Sequence, residues 1–214
     1  MSTTHFCLIR HGETPWNAEG RLQGHTDVPL NSHGQEQATQ MAAALKAANF
    51  HFDVLYTSDL QRAADTANAI VKLFGKPAVL DKELRERHFG VLQGLKISEA
   101  PQVHPKVWKV HLARDLEHDL EGGESISQFA NRIKNALTRI TQEHPGKTIC
   151  LVSHGGVLDM IYRIVTQQAL SAQRIASVPN ASLNRMAHDG QRWAVEKWAD
   201  ISHLVDASLD NVDL

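Results

Sequence analysis

Residues 7–14 read CLIRHGET and residues 150–156 read CLVSHGG. Each is an apolar run that stops at a histidine–glycine pair. A neutral imidazole at a strand end is a nucleophile or base near pH 7. The arginine beside the first histidine carries the planar fork that grips phosphate oxygens. Two such segments hold either two core histidines or two imidazoles converging on one site, and the elements around them decide which.

Those elements alternate. HFCLIR (5–10) reads as a buried strand. A helix over 30–50 follows, with Ser32 and Gln35 as a capping box and Ala38, Met41, Ala42 and Leu45 on one face. FDVLYTS (52–58) is a second strand. Ser58 and Gln61 then suggest another capping box, for a helix whose apolar residues recur from Leu60 to Phe74 and which ends at Gly75. PAVLD (77–81) is a third strand. Residues 90–124, broken by Pro101 and Pro105, read as an insertion lying over another surface and not as a core element. Ser125 and Gln128 cap a helix with Ile126, Phe129, Ile133, Leu137 and Ile140 inward. TICLVS (148–153), the helix GGVLDMIYRIVTQ and a final strand pair around Asp189-Gly190 complete the order. Strand–helix alternation of this kind predicts an α/β fold, a mostly parallel sheet covered by helices on both faces. One domain is expected over 1–205, with 206–214 a frayed acidic tail.

In open α/β sheets, ligands bind beyond the carboxyl ends of the strands. Arg10-His11 follows the first strand, Arg62 lies one turn into the helix after the second, Glu86 follows the third, and His154 follows the fourth. Scattered polar residues would not all fall at the same strand end, so a shared site is favoured over two core histidines. Two arginines, two histidines and a carboxylate suit a phosphoryl group, whose transfer is catalysed by positioning and charge stabilisation. Arg10 and Arg62 are expected to depress the pKa of a nucleophilic imidazole and keep it neutral. Glu86 can protonate a leaving alkoxide and then deprotonate water. Gly12, Gly155 and Gly156 allow backbone to approach an anion, and Thr14, Asn17, Gln23 and Gly24, in a polar loop, add neutral donors.

LIRHGET, Arg62 within SDLQRAADTA, Glu86 within LRERHFG and SHGG around His154 occur in that order, with GRLQGHTDVPLNSHG and GGES between them. Together they closely resemble the histidine phosphatase superfamily, also called phosphoglycerate mutase-like, over nearly the whole chain. The resemblance implies a three-layer α/β/α sandwich and a phosphohistidine intermediate on His11. It implies a phosphate pocket of Arg10, Arg62 and His154, joined by Asn17, Gln23, Gly24 and Gly155, with Glu86 as proton donor. No metal or cofactor is expected, the substrate is expected to be a small phosphorylated metabolite, and residues 90–124 become an insertion over the active site. One departure stands out: many phosphatases of the family read Phe-Gly-x-Trp-Glu-Gly where this chain reads FGVLQG, with Leu92 and Gln93. The missing carboxylate bears on specificity more than on activity.

A metal-independent phosphatase of small phosphomonoesters is therefore expected, and its nearest rival is a phosphoglycerate mutase. Against the mutase stand the short 90–124 segment, which lacks an adjacent arginine pair, and His154-Gly155-Gly156 where mutases tend to read His-Gly-Asn. Zinc held by two histidines and a glutamate is a second rival, opposed by the charges of Arg10 and Arg62. A phospho-ligand module without turnover would have lost His11 or Glu86, and both are present. A net charge of −2 over 214 residues predicts binding to neither nucleic acid nor membrane. The start MSTTHFCLIR lacks the character of a signal peptide, and Cys7 and Cys150 read as reduced core thiols, so a cytoplasmic protein is expected. Most of the 13 histidines, His25 and His111 among them, read as surface or structural residues. Glu124 reads as serving its helix start, and Asn180-Ala181-Ser182 as a glycosylation sequon without an export signal to give it meaning. Self-association into a homo-oligomer is left open.

Overall fold

Alternation inside the first strand sets the layers. Phe6 and Leu8 face one side, Cys7 and Ile9 the other, and all four are buried. The computed structural model describes residues 2–173 and 176–205; the tail at 206–214 lies outside the described residues. Strands β1 (Thr4–Arg10), β2 (Val54–Ser58), β3 (Ala78–Asp81), β4 (Thr148–Ser153), β5 (Leu183–His188) and β6 (Trp193–Asp200) form one sheet in the order β3-β2-β4-β1-β5-β6. The first four strands in that order are parallel, and β5 runs antiparallel to both β1 and β6.

The helices in chain order are α1 (Pro15–Ala18), α2 (Ser32–Ala47), α3 (Gln61–Phe74), α4 (Ala100–Val103), α5 (Pro105–Leu112), α6 (Ile126–Glu143) and α7 (Gly155–Thr166). Helices α6 and α7 close over Phe6, Leu8 and Leu151, while α2 and α3 close over Cys7, Ile9 and Val152. The α/β/α layering is as the sequence predicts. Each fully buried Leu or Ile in these layers contributes roughly 1.5–3 kcal/mol, so helix faces such as Ile133, Leu137 and Ile140 of α6 fix the sandwich.

The two like-sounding strands lie side by side and in phase. Cys7 pairs with Cys150 and Arg10 with Ser153, and the His11 amide donates to the Ser153 carbonyl at 2.9 Å, which carries the ladder one residue further. His11 and His154 thus leave the sheet together. The two thiols beneath them are buried and unbridged; contact with the Cys7 thiol and then burial push the Cys150 thiol up, away from thiolate chemistry.

Several local expectations are corrected. Helix α2 is capped by Asn31, whose side chain accepts from the Gly34 amide at 2.7 Å, and not by Ser32. Helix α3 has Leu60, with no side-chain acceptor, at its N-cap; Ser58 lies two residues too early, and its Oγ meets His154 Nε2 and the Leu60 amide, while Asp27 Oδ1 accepts from the Gln61 amide at 2.7 Å. The Ser125–Gln128 capping box forms as expected. Residues 90–124 are not without a core: Phe89, Leu92, Ala100, Val107, Trp108 and Leu120 bury one another against Leu22. Among the described residues no helix is long and apolar enough to cross a membrane.

Candidate active site

The carboxyl end of β1 delivers Arg10 and His11, 0% and 2% exposed. The Arg10 guanidinium donates to the Val178 carbonyl at 2.7 Å. His11 Nδ1 lies 2.7 Å from the Gly12 carbonyl oxygen. A carbonyl can only accept, so the proton sits on Nδ1 and the lone pair on Nε2. Burial first, then the charges of Arg62 and Arg10, hold His11 well below the usual histidine range. The arginines act as expected, but desolvation is the larger cause.

His154, fully buried, is the N-cap residue of α7, and its ring centroid lies 5.1 Å from that of His11. Arg62, in the first turn of α3, donates from Nε to His154 Nδ1 at 3.2 Å. An Nε–H can only donate, so the proton of His154 sits on Nε2, which reaches Ser58 Oγ at 2.9 Å. The two imidazoles are therefore opposite tautomers. Burial, then Arg62, pushes His154 well below its usual range as well. The other Arg62 nitrogens donate to the Thr26 and Gly24 carbonyls at 3.0 and 2.8 Å, which ties the loop after β1 to α3.

Glu86, 3% exposed, follows the short 3-10 turn Lys82–Leu84. Its carboxylate accepts from the Arg87 and Gly156 amides at 2.7 and 2.9 Å, joining it to the first turn of α7 beside His154 and Gly155. Arg10, His11, Arg62, Glu86, His154, Gly155 and the Gly24 carbonyl thus converge. Asn17, in the short helix α1, and Gln23, on the loop after it, are buried close by in the chain after β1. Asn17 Oδ1 closes a capping box with Thr14, while Asn17 Nδ2 and Gln23 Oε1 have no hydrogen-bond partner among the described residues. Gln93 Oε1 accepts from the His25 amide at 2.8 Å, so the amide that stands in place of a carboxylate still pins the Gly24–His25 turn.

Sequence reasoning missed several supports. Ser58 was assigned to a helix cap. Glu124 does not serve its helix start: it pairs with Arg132 at 2.7 Å and accepts from the His88 amide, and Arg132 also donates to the Glu86 carbonyl. His25 Nε2 lies 2.8 Å from that same carbonyl oxygen. The glycines also serve another end than expected. A Cβ on Gly12 would sit 2.3 Å from the Gly34 carbonyl oxygen, and one on Gly156 would sit 2.2 Å from a Glu86 carboxylate oxygen. They admit protein neighbours.

Residues 6–201 match the histidine phosphatase superfamily, branch 1. The chain belongs to that superfamily. This histidine phosphatase is 42% identical to a metal-independent phosphoserine phosphatase of Arabidopsis thaliana over 94% of the chain and 83% of the relative. It is 40% identical to phosphoglycerate mutase-like protein 4 of the same plant, over 94% and 87%. Its fold matches a phosphoserine phosphatase of Entamoeba histolytica, solved with phosphoserine, at a TM-score of 0.82 and 26% identity, covering 94% of this chain and all of the other. The protein is a hydrolase of the histidine phosphatase type.

Proposed function

We propose that this histidine phosphatase hydrolyses small phosphomonoester metabolites without a metal, through a phosphohistidine on His11. His11 Nε2 attacks phosphorus as the ester P–O bond breaks, and Glu86 gives its proton to the departing alkoxide. Water then attacks phosphorus, Glu86 takes a proton from it, the P–N bond breaks, and His11 returns to its neutral form with phosphate released. Arg10, Arg62 and the neutral donors around Gly24 and Asn17 hold the phosphoryl oxygens. Residues 90–124 act as cover, tied to the loop after β1 by the Leu22–Leu95 and Gly94–Leu22 backbone bonds at 3.0 and 2.8 Å.

The observation that carries this reading is the tautomer of His11. Its Nδ1–H is committed to Gly12, so Nε2 is a lone pair, and the Gly12 carbonyl steadies the positive ring that forms on phosphorylation. Zinc fits the same residues poorly: both nitrogens of His154 are engaged by Arg62 and Ser58, and one nitrogen of His11 is engaged by Gly12.

Phosphoserine is the first ester to test, from the names of the relatives. Phosphate release in EDTA, for wild type beside His11→Ala, is expected to persist in the first and vanish in the second. Activity that needs added zinc would overturn the reading. The mutase-like relative supports a second reading, retention of the phosphoryl group and its return to another hydroxyl. Conversion of 3-phosphoglycerate to 2-phosphoglycerate with little free phosphate would establish it.

A further inference from the structure

The peptide plane that joins His11 to Gly12 is pinned at both ends by side chains far away in the sequence. Its carbonyl accepts from Asn180 Nδ2 at 2.9 Å, and its N–H donates to Thr66 Oγ1 at 3.0 Å. Both residues are buried, at 4% and 0% exposure. The Thr66 hydroxyl donates onward to the Arg62 carbonyl at 2.8 Å, so one threonine links the backbones of Gly12 and Arg62. Beside Asn180, Ala181 adopts a φ of 55°, left-handed and unfavourable for a residue with a Cβ, and its N–H reaches the Arg10 and His11 carbonyls at 3.1 and 3.2 Å.

The next peptide carries the consequence. Its carbonyl, that of Gly12, receives the His11 Nδ1–H. Tilting the His11–Gly12 plane swings the Gly12 carbonyl away from Nδ1, and a glycine offers little resistance of its own to such a swing. We propose that Thr66 and Asn180 are positioning residues for His11: by fixing this peptide plane they select its Nδ1–H tautomer and aim Nε2 at the phosphoryl group. The catalytic part of the inference rests on His11 as nucleophile; the tautomer part does not.

The test follows the His11 ring by nitrogen-15 NMR in wild type, Thr66→Val, Thr66→Ser and Asn180→Ala, with kcat, KM and phosphohistidine trapping measured on the same samples. Thr66→Val keeps the shape and removes the hydroxyl, so it decides the matter even should Asn180→Ala fail to fold. Thr66→Val and Asn180→Ala are expected to mix the two tautomers. They should lower kcat roughly 10- to 100-fold while KM stays within about twofold. Thr66→Ser, which retains the hydroxyl, is expected to return the wild-type tautomer and most of the rate. A wild-type tautomer in Thr66→Val overturns the proposal whatever its rate, as does a Thr66→Ser enzyme as impaired as Thr66→Val. A tautomer shift without any label on wild-type His11 would instead overturn the nucleophile reading and leave the clamp standing.

Discussion

The ends of β1 and β4 carry nearly the same phrase, adjacent and in register, yet they present opposite imidazoles. At the β1 end the ring proton is on Nδ1, given to the protein's own backbone, and Nε2 is left as a lone pair. At the β4 end the proton is on Nε2, given to Ser58, and Nδ1 is taken by Arg62. Equal burial and similar pKa depression therefore do not make equal roles. The partner that can only accept or only donate decides which nitrogen is available. On the proposed reading, one strand end attacks and the other organises the arginine beside it.

Removing each ring tests that asymmetry most severely. His11→Ala is expected to cost at least about 10⁴-fold in kcat, as loss of a nucleophile does. His154→Ala, which leaves the nucleophile in place, should cost about 10²- to 10³-fold. Acid-quenched trapping of the phosphoenzyme checks the difference: label is absent from the first variant and present, though slowly formed, in the second. Equal losses with no label in either would abolish the distinction.

The glycines divide in the same way, by what their missing Cβ would strike. Gly12→Ala meets the Gly34 backbone, which cannot step aside, so a loss of about 1–3 kcal/mol is expected. That corresponds to roughly 2–4 °C in Tm for each kcal/mol in a chain of this size. Gly156→Ala meets the end of the Glu86 side chain, which can give way where backbone cannot, so its melting point should move less than that of Gly12→Ala while kcat falls about tenfold through displaced acid chemistry. Paired melting curves and steady-state rates separate the two. Ser58→Ala comes next in size: it leaves the His154 Nε2–H buried and unpaired, at a cost of about 1–3 kcal/mol, and should slow turnover without removing the label on His11.

The pH dependence is the mildest test and bears on both rings at once. Both are depressed, so both stay neutral in the folded protein below the usual 6.5. The acid limb of kcat/KM should therefore fall below pH 6.5. For stability the unfolded chain binds more protons than the folded one between the two pKa values, so stability declines as pH drops below about 6.5 and continues to decline until the folded values are reached. His111, held to about 4 by burial and then by Arg87 and Arg114, adds to the same slope. A flat stability profile from pH 7 to 5 would mean that the rings are not held neutral.

Much of the site could be read in the linear chain because strand ends are signalled locally. The stop of CLIR at His11 and of CLVS at His154 marks the carboxyl edge of a parallel sheet without any tertiary knowledge. Ser58 and Glu124 were misread for the opposite reason. A serine three residues before a glutamine and a glutamate before a helix both have ordinary local uses, and nothing in the neighbouring letters says that the side chain will turn to a histidine or an arginine elsewhere. The segment 90–124 hid its core similarly, since Leu22 from another loop completes it.

The sequence alone determined the alternation of the strands with α2, α3, α6 and α7 along the chain, the apolar faces of α2, α3 and α6, and the identity of the groups brought to the sheet edge. Those follow from periodicity and residue chemistry, which are properties of short windows. Only the tertiary structure decided which nitrogen of each imidazole carries the proton, which backbone each glycine must admit, and that Thr66 and Asn180 grip the same peptide. Each is settled by a hydrogen bond or a contact between residues far apart in the chain, and the direction of such a bond depends on which partner arrives.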